Sequence, residues 1–271
     1  MAHNPFGRVS RLSLKAVCNG EGKTILQDLS FTAPYKVMHP FEKEDGLIQV
    51  MLLAASAGIM DGDRQHFAFD VTDGAKLEFT SQAYEKIHQM VEGCAKRHAD
   101  IHVGSGAFFC YNPQPTIPFA DSAFENSMTI HLDDETAGFQ MSEIFTCGRY
   151  IRGEKFAYKR YYNLVDIYRG DKLVYRDNTR YDPCVFQMDG MGMFEDYTHL
   201  ANIFVSRPVD AASFKEQTYR LLQDYEETPR HDTKIEGCLT ELSDGDYAVR
   251  IFGMRAQVLE EVKEKIMTLA L

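Results

Sequence analysis

Residues 56–88 read SAGIMDGDRQHFAFDVTDGAKLEFTSQAYEKIH, and this stretch decides the fold class. Apolar residues alternate with other residues over 67–71 and again over 77–79, and the dipeptide Asp-Gly stands between the two runs at 73–74. An alternation of period two bounded by Asp-Gly turns is typical of short β-strands. We expect these two strands to pair with each other as a hairpin.

The same pattern extends outward in both directions, over about residues 9–180. Turn residues recur roughly every ten residues, which indicates an all-β sandwich, barrel or solenoid. No strict repeat is visible, and this argues against a regular propeller. We therefore predict a mostly β fold of many short strands in a stacked, β-helix-like or sandwich-like arrangement, joined mainly by antiparallel hairpins.

Two helices are predicted late in the chain, over residues 211–225 and 256–269, where apolar residues recur at helical spacing. Alternating residues between them, over 239–251, predict a hairpin. We expect residues 1–183 to form the β-rich core. Residues 184–271 then form a small α/β portion that packs on the same domain.

The charge and composition of the chain argue against several classes of function. The chain has 271 residues and a formal net charge of −11, which argues against binding nucleic-acid phosphates. No apolar run approaches the ~20 residues of a membrane span, and the first residues lack the apolar core of a secretory signal. We expect a cytoplasmic protein that binds neither nucleic acid nor membranes. Its cysteines occur singly, without a C-x-x-C pair, which disfavours structural zinc and a disulfide framework.

The familiar catalytic motifs are missing from the sequence. There is no G-x-S-x-G nucleophile elbow, no complete G-x-x-x-x-G-K-[ST] phosphate loop and no H-E-x-x-H zinc motif. We therefore expect that the chain is not an enzyme.

Carboxylates at apolar strand positions are the stronger signal. Four stand out, namely Asp63, Glu85, Glu143 and Asp177. A carboxylate in such a place is costly unless it is paired, hydrated or bound to a cation. Structural ion pairs are one interpretation, for example Glu143 with Arg149. Asp177 with Arg180 is another such pair.

Two functional interpretations remain beside the ion pairs. The carboxylates can line a wet interior, where oxygen ligands would hold a divalent cation weakly. Alternatively, two of them form the acid pair of a glycosidase, whose separation the sequence does not give.

Six segments occur in a specific order, namely residues 22–24, 33–41, 56–63, 80–86, 111–119 and 144–154. Together they resemble the urease accessory protein family UreD, called UreH in some systems. Residues 80–86 are similar to the family's T-T-Q-x-x-x-K signature, and 144–154 to its G-R-x-x-x-G-E motif. Residues 56–58 lack the usual glycine-rich start, and Tyr111 stands where many members have tryptophan. The resemblance covers about residues 10–182 and is loose beyond 184.

The resemblance implies a non-enzymatic maturation factor with a stacked β fold. It implies binding to apo-urease and to the accessory protein UreF, which recruits the GTPase UreG. It also implies that nickel is in transit along polar residues inside the protein and is not a tightly bound cofactor.

The resemblance also assigns roles to individual residues. The candidate nickel-route residues, by position, are Asp63, Glu85, Glu143 and, less directly, Asp177. Lys86 falls on the family's lysine, where it would pair with a carboxylate or close the route electrostatically. The alternative function is a carbohydrate-active β-solenoid enzyme with paired carboxylates.

Overall fold

The structure is a computed structural model that describes residues 9–228 and 234–271. The expectation that the first residues are no secretory signal concerns residues 1–8 and therefore lies outside the described residues. The described chain forms eighteen strands and two α-helices. They are β1 (Val9–Cys18), β2 (Thr24–Phe31), β3 (Tyr35–Val37), β4 (Phe41–Glu42), β5 (Ile48–Ala54), β6 (Arg64–Val71), β7 (Lys76–Ser81), β8 (Glu85–Ile87), β9 (Ala95–Val103), β10 (Phe108–Asn112), β11 (Thr116–Pro118), β12 (Ala123–Leu132), β13 (Gly138–Thr146), β14 (Arg160–Arg169), β15 (Lys172–Tyr181), β16 (His199–Val205), α1 (Ala211–Glu227), β17 (Ile235–Glu241), β18 (Tyr247–Gly253) and α2 (Ala256–Leu269).

The strands form two sheets that face each other. Sheet A has seven strands in the order β15-β14-β12-β9-β6-β1-β2, and sheet B has eleven, with the main order β17-β18-β16-β13-β10-β7-β5-β3. From β5 to β14 the long strands alternate between the sheets, and successive strands within each sheet run parallel. The chain therefore winds like a β-helix, and the mostly β, stacked fold that the sequence predicts is confirmed.

The hairpin expected between the runs at 67–71 and 77–79 is wrong. β6 pairs in parallel with β1 and β9 in sheet A, whereas β7 pairs in parallel with β5 and β10 in sheet B. The turn at Asp73-Gly74, where Gly74 has a φ of +70°, carries the chain from one sheet to the other. Alternation reports one buried face and does not identify the partner strand, which is why the sequence misled here.

Antiparallel hairpins occur at the ends of the sheets, whereas the long strands from β5 to β14 pair in parallel within each sheet, so the expectation that hairpins join most of the strands is wrong. β1 pairs with β2, β14 with β15, and β17 with β18 in this way. The last of these is the hairpin predicted over residues 239–251, which is confirmed.

Both predicted helices are confirmed at the C-terminal end. α1 begins after Asp210, whose carboxylate accepts a bond from the Ser213 N–H at 3.0 Å as a helix cap. α2 packs on β13, β16 and β18, and β16 pairs with β13, so this part of the chain extends sheet B. Neither described helix has the length and apolar character that a membrane span requires.

Inward side chains of sheet A form rungs, because parallel strands keep their residues in register. Two neighbouring rungs are apolar and consist of Leu14, Phe69, Ile101, Ile130 and Ile167, then Leu12, Phe67, Ala99, Met128 and Val165. The next rung is polar and consists of Gln65, Arg97, Asn126 and Asn163. Apolar residues return in the rung after it, with Ala95, Phe124 and Tyr161. The polar rung thus separates two apolar clusters of the core.

Candidate functional site

A layer of polar side chains crosses the interior between the sheets, and we call it the polar belt. Sheet A contributes its polar rung, and sheet B contributes an inward row of Glu143, Asn202 and Arg250 on β13, β16 and β18. The full belt consists of Gln65, Glu85, Arg97, Asn126, Glu143, Asn163, Asp177, Asn202 and Arg250. Three of the four carboxylates singled out in the sequence are therefore in one layer of the structure.

Glu85 and Arg97 form the first part of the belt as an ion pair. The Arg97 guanidinium also donates to Oε1 of Gln65 from Nε at 2.9 Å and from Nη2 at 2.7 Å. The rings of Phe67 and Phe124 lie 5.0 and 5.5 Å from it, so the buried cation is enclosed by aromatic faces. Burial opposes the charge on Arg97, but the Glu85 carboxylate raises the pKa of Arg97, so the guanidinium stays charged.

Glu143 forms the second part of the belt, together with two asparagines of sheet A. Its Oε2 accepts a bond from Nδ2 of Asn163 at 2.7 Å, and Oδ1 of Asn163 accepts one from Asn126 at 2.7 Å. Burial raises the pKa of Glu143 to about 7, and the nearby Asp177 adds to the rise, while the Asn163 bond opposes it. Near neutral pH this carboxyl is therefore partly protonated.

Asp177 forms the third part of the belt. Its Oδ2 accepts a bond from the Arg250 guanidinium at 3.1 Å, and its Oδ1 accepts one from the Thr179 hydroxyl at 2.9 Å. The ion pairs suggested by the sequence differ from these, since Asp177 pairs with Arg250 and not with Arg180.

Glu143 likewise lacks the partner suggested for it. Arg149 pairs with Glu154 instead, outside the interior, and its guanidinium lies 4.0 Å from the ring of Phe119. The two ion pairs that the sequence suggested, Glu143 with Arg149 and Asp177 with Arg180, are therefore wrong.

Asp63 and Lys86 lie where the belt approaches the surface. Asp63 accepts a bond from the Met60 N–H at 2.9 Å and lines an outer pocket of about 140 Å³ together with Gln65, Glu85 and Lys86. The Lys86 side chain is exposed and forms no ion pair with any residue between 9 and 228 or 234 and 271. Arg97 thus forms the ion pair that was expected of Lys86. The electrostatic role of Lys86, closing the route where it reaches the surface, stays a prediction.

An internal cavity of about 40 Å³ lies behind this outer pocket. Glu85, Arg97, Asn126 and Glu143 are among its lining residues, and Glu85 also lines the outer pocket. A volume of this size holds one to a few water molecules. The Glu85–Arg97 pair therefore stands between the outer pocket and the cavity.

Several polar atoms of this interior have no hydrogen-bond partner. Among the described residues, these include Oδ1 of Asn126, Oδ1 of Asn202 and the hydroxyl of Tyr35. Buried polar atoms in folded proteins are normally satisfied, so the unpaired Oδ1 of Asn126, which lines the cavity, indicates a place where water or a cation would bind.

No three His, Cys, Asp or Glu side chains converge as a closed set of metal ligands in the part of the chain that the structure describes. The belt carboxylates are spaced along the interior and lie singly. Oxygen atoms arranged in this way would hold a hard or borderline divalent cation weakly at successive places, with amide oxygens and water completing the coordination.

Sequence reasoning missed Arg97 and the amides of the belt. Their signal was nevertheless present, because each has the inward parity of its strand. Arg97 alternates with Ala99 and Ile101 on β9, and Asn163 alternates with Val165 on β14. A polar residue two positions from an inward apolar one marks the belt as clearly as the carboxylates do.

Comparisons with known proteins identify the family. The family model described as UreD urease accessory protein matches residues 8–271. The chain belongs to the UreD family. It is 34% identical over 264 residues to the urease accessory protein UreH of Helicobacter pylori strain G27, covering 97% of this chain and 95% of that protein.

Two further relatives agree with this assignment. The urease accessory protein UreD of Acetivibrio thermocellus is 40% identical over 201 residues, which cover 74% of this chain and 76% of that protein. The UreD of Staphylococcus saprophyticus is 27% identical over 263 residues, covering 97% and 92%. Membership in the UreD family supports a role in urease maturation and confirms the resemblance seen in the sequence.

Proposed function

We propose that this protein is a non-catalytic scaffold of urease maturation that conducts nickel along its polar belt. In this proposal it acts in the cytoplasm, binds apo-urease and a UreF protein, and contacts the GTPase UreG through UreF. Nickel is cargo in this function and is held only transiently.

One observation carries the proposal, namely a charged and incompletely satisfied layer between two apolar clusters of the core. Burying carboxylates and amides costs stability compared with apolar residues of similar size. The belt links the outer pocket at Asp63 to the cavity at Glu143, and it continues through Asp177. Such spacing suits a cation that must be bound and released in turn.

The glycosidase alternative finds little support in this geometry. Glu85 and Glu143 line a cavity of about 40 Å³, whereas pockets for small organic ligands occupy roughly 300 Å³ or more. A sugar ring does not fit between them without opening the sheets.

The test is urease activation in a reconstituted mixture of apo-urease, the accessory proteins and nickel. Glu143→Leu and Asp63→Leu should slow nickel incorporation by about tenfold or more, because losing ~1.4 kcal/mol of cation stabilisation on the route suffices for that factor. Both urease activity and nickel content are measured.

A matched control is Asp70→Leu. Asp70 is a half-exposed carboxylate on the outer face of sheet A, where it pairs with Lys15 at 2.9 Å, away from the belt. This variant should activate urease normally. Normal activation by the Glu143 and Asp63 variants, with complexes intact in a pull-down, would instead favour a purely structural adaptor.

A further inference from the structure

A groove of about 710 Å³ lies outside the belt, between the start of α2 and the loop that follows β13. Three arginines line it, Arg149 and Arg152 from the loop and Arg255 from the start of α2. None of its described lining residues is acidic, although the chain as a whole carries a net charge of −11. The groove is therefore a local basic surface on an acidic protein.

The rim of this groove is apolar and open to solvent. Ile151 is 100% exposed and Tyr150 is 53% exposed. Two adjacent exposed apolar side chains at the edge of a large concave surface offer an apolar contact to a partner protein. His199, also in the groove, has its pKa lowered to about 4 by burial, so it is uncharged at neutral pH and adds no positive charge to the groove.

Arg149 and Arg152 differ in whether they already form an ion pair within the protein. Arg149 is fixed by its ion pair with Glu154 and by the ring of Phe119. Arg152, in contrast, is exposed and forms no ion pair with a residue that the structure describes. Arg152 is thus the guanidinium best placed to bind an incoming carboxylate in two-point fashion.

We propose that this groove binds a segment of a partner protein in which acidic residues stand next to apolar ones. Charge complementarity selects the carboxylates, which bind Arg152 and the basic wall of the groove. The apolar side chains cover Ile151 and Tyr150. This assignment rests on the groove alone and is independent of the nickel route.

The groove adjoins the outer pocket of the belt. Tyr84 lines both, and its hydroxyl donates to Oε2 of Glu260 on α2 at 2.5 Å. A segment bound in the groove therefore contacts the same stretch of chain that carries Glu85, one residue further on. The partner that docks here lies beside the mouth of the interior.

Tryptophan fluorescence tests the proposal, because the chain contains no tryptophan. Ile151→Trp places a single apolar reporter on the rim of the groove. The probe is a pool of six-residue peptides in which Glu or Asp alternates with Leu, Ile or Phe. We expect saturable binding with a blue-shifted emission, and affinity that falls as salt concentration rises.

Paired variants locate the binding. Adding Arg152→Glu to the reporter should weaken binding by about tenfold or more, whereas Arg11→Glu, an equal charge change on sheet A, should leave it unchanged. Val91→Trp, at a side chain 78% exposed elsewhere on the surface, should show no spectral response. A pool of the same design with Gln and Asn should not bind.

Several outcomes overturn the proposal. These are the absence of saturable binding by the acidic pool, equal binding by the neutral pool, and binding that is insensitive to Arg152→Glu. The oligomeric state of the protein alone, measured by sedimentation, gives one more outcome that would overturn the proposal. A dimer that Arg152→Glu converts to monomer would assign the groove to a second copy of this chain.

Discussion

The protein has two closed cores, one between the two sheets and one between sheet B and the helices. They differ in how completely their buried polar groups are hydrogen-bonded. Under α2 a small network is satisfied within itself. Lys263 Nζ donates to Oδ1 of Asn112 at 2.7 Å, Ser142 Oγ donates to the same oxygen at 2.8 Å, and Asn112 donates to Glu264 at 3.0 Å. Of the described polar side chains on this side, the hydroxyl of Thr218 on α1 is left without a partner.

Between the sheets the polar belt is larger and less complete. It holds carboxylates, guanidinium groups and amides. Oδ1 of Asn126, beside the cavity, and Oδ1 of Asn202 remain unpaired. The comparison teaches that a closed network locks two elements together, whereas an open one leaves places for water and cations. The closed network under α2 explains how this helix is fixed to sheet B. Stability does not explain the open network between the sheets, which is why we assign it a function.

The largest effect should come from cutting the charge pair of the belt. Arg97→Met leaves Glu85 and Gln65 without their donors. We expect a loss of about 3 kcal/mol in the free energy of unfolding. This value is at the low end for a broken buried ion pair, because Glu85 is partly exposed. Urea denaturation measures it. Adding Glu85→Gln should recover part of the loss, and a cost below about 1 kcal/mol for Arg97→Met would contradict a buried pair.

Next in size is the pH dependence contributed by Glu143. Burial raises its pKa to about 7 in the folded protein, above the value of 4.5 for an unperturbed glutamate, so the folded state binds more protons between these values. Stability from this group is therefore present at low pH and is lost as pH rises toward and through 7. The contribution of Glu143 to the free energy of unfolding is at most about 3 kcal/mol, because each unit of pKa shift corresponds to ~1.4 kcal/mol.

Glu143→Gln isolates this contribution, because glutamine keeps an oxygen for Asn163 but does not titrate. Relative to this variant, the wild type should lose about 2–3 kcal/mol of unfolding free energy between pH 5 and pH 8. Parallel pH profiles of the two proteins would mean that Glu143 titrates normally and that the belt around it is well hydrated.

The smallest effect should come from the network under α2. Lys263→Met keeps most of the length of the side chain and leaves Oδ1 of Asn112 bonded to Ser142, so we expect a loss of only about 1 kcal/mol in the free energy of unfolding. Thermal and urea unfolding measure this loss. A cost as large as that of Arg97→Met would remove the contrast between the two interiors.

The sequence predicted local structure well because periodicity reports burial directly. The helix at 256–269 and the hairpin at 239–251 follow from the spacing of apolar residues, and both are present. Strand pairing did not follow, since parallel and antiparallel strands with one buried face alternate alike. The turn at Asp73-Gly74 therefore gave no indication that it joins two different sheets.

The site was predicted in part for a similar reason. Glu143 and Asp177 attracted attention as charges at apolar positions, but their partners are set by the pairing of strands far apart in the chain. Glu143 bonds to Asn163 in the opposite sheet, and Asp177 bonds to Arg250 near the C-terminus. No spacing rule connects such residues before the winding of the chain is known.

The central claim is that the belt is retained for passage of a cation and not for stability. Replacing one bonded chain of the belt by apolar residues, with Asn126→Leu, Asn163→Leu and Glu143→Leu together, tests it most directly. We expect the unfolding midpoint to stay level or rise, because no member of that chain is left unpaired. Nickel incorporation into apo-urease, measured with the complexes intact, should then be lost. Wild-type nickel incorporation by this stable variant would contradict the account.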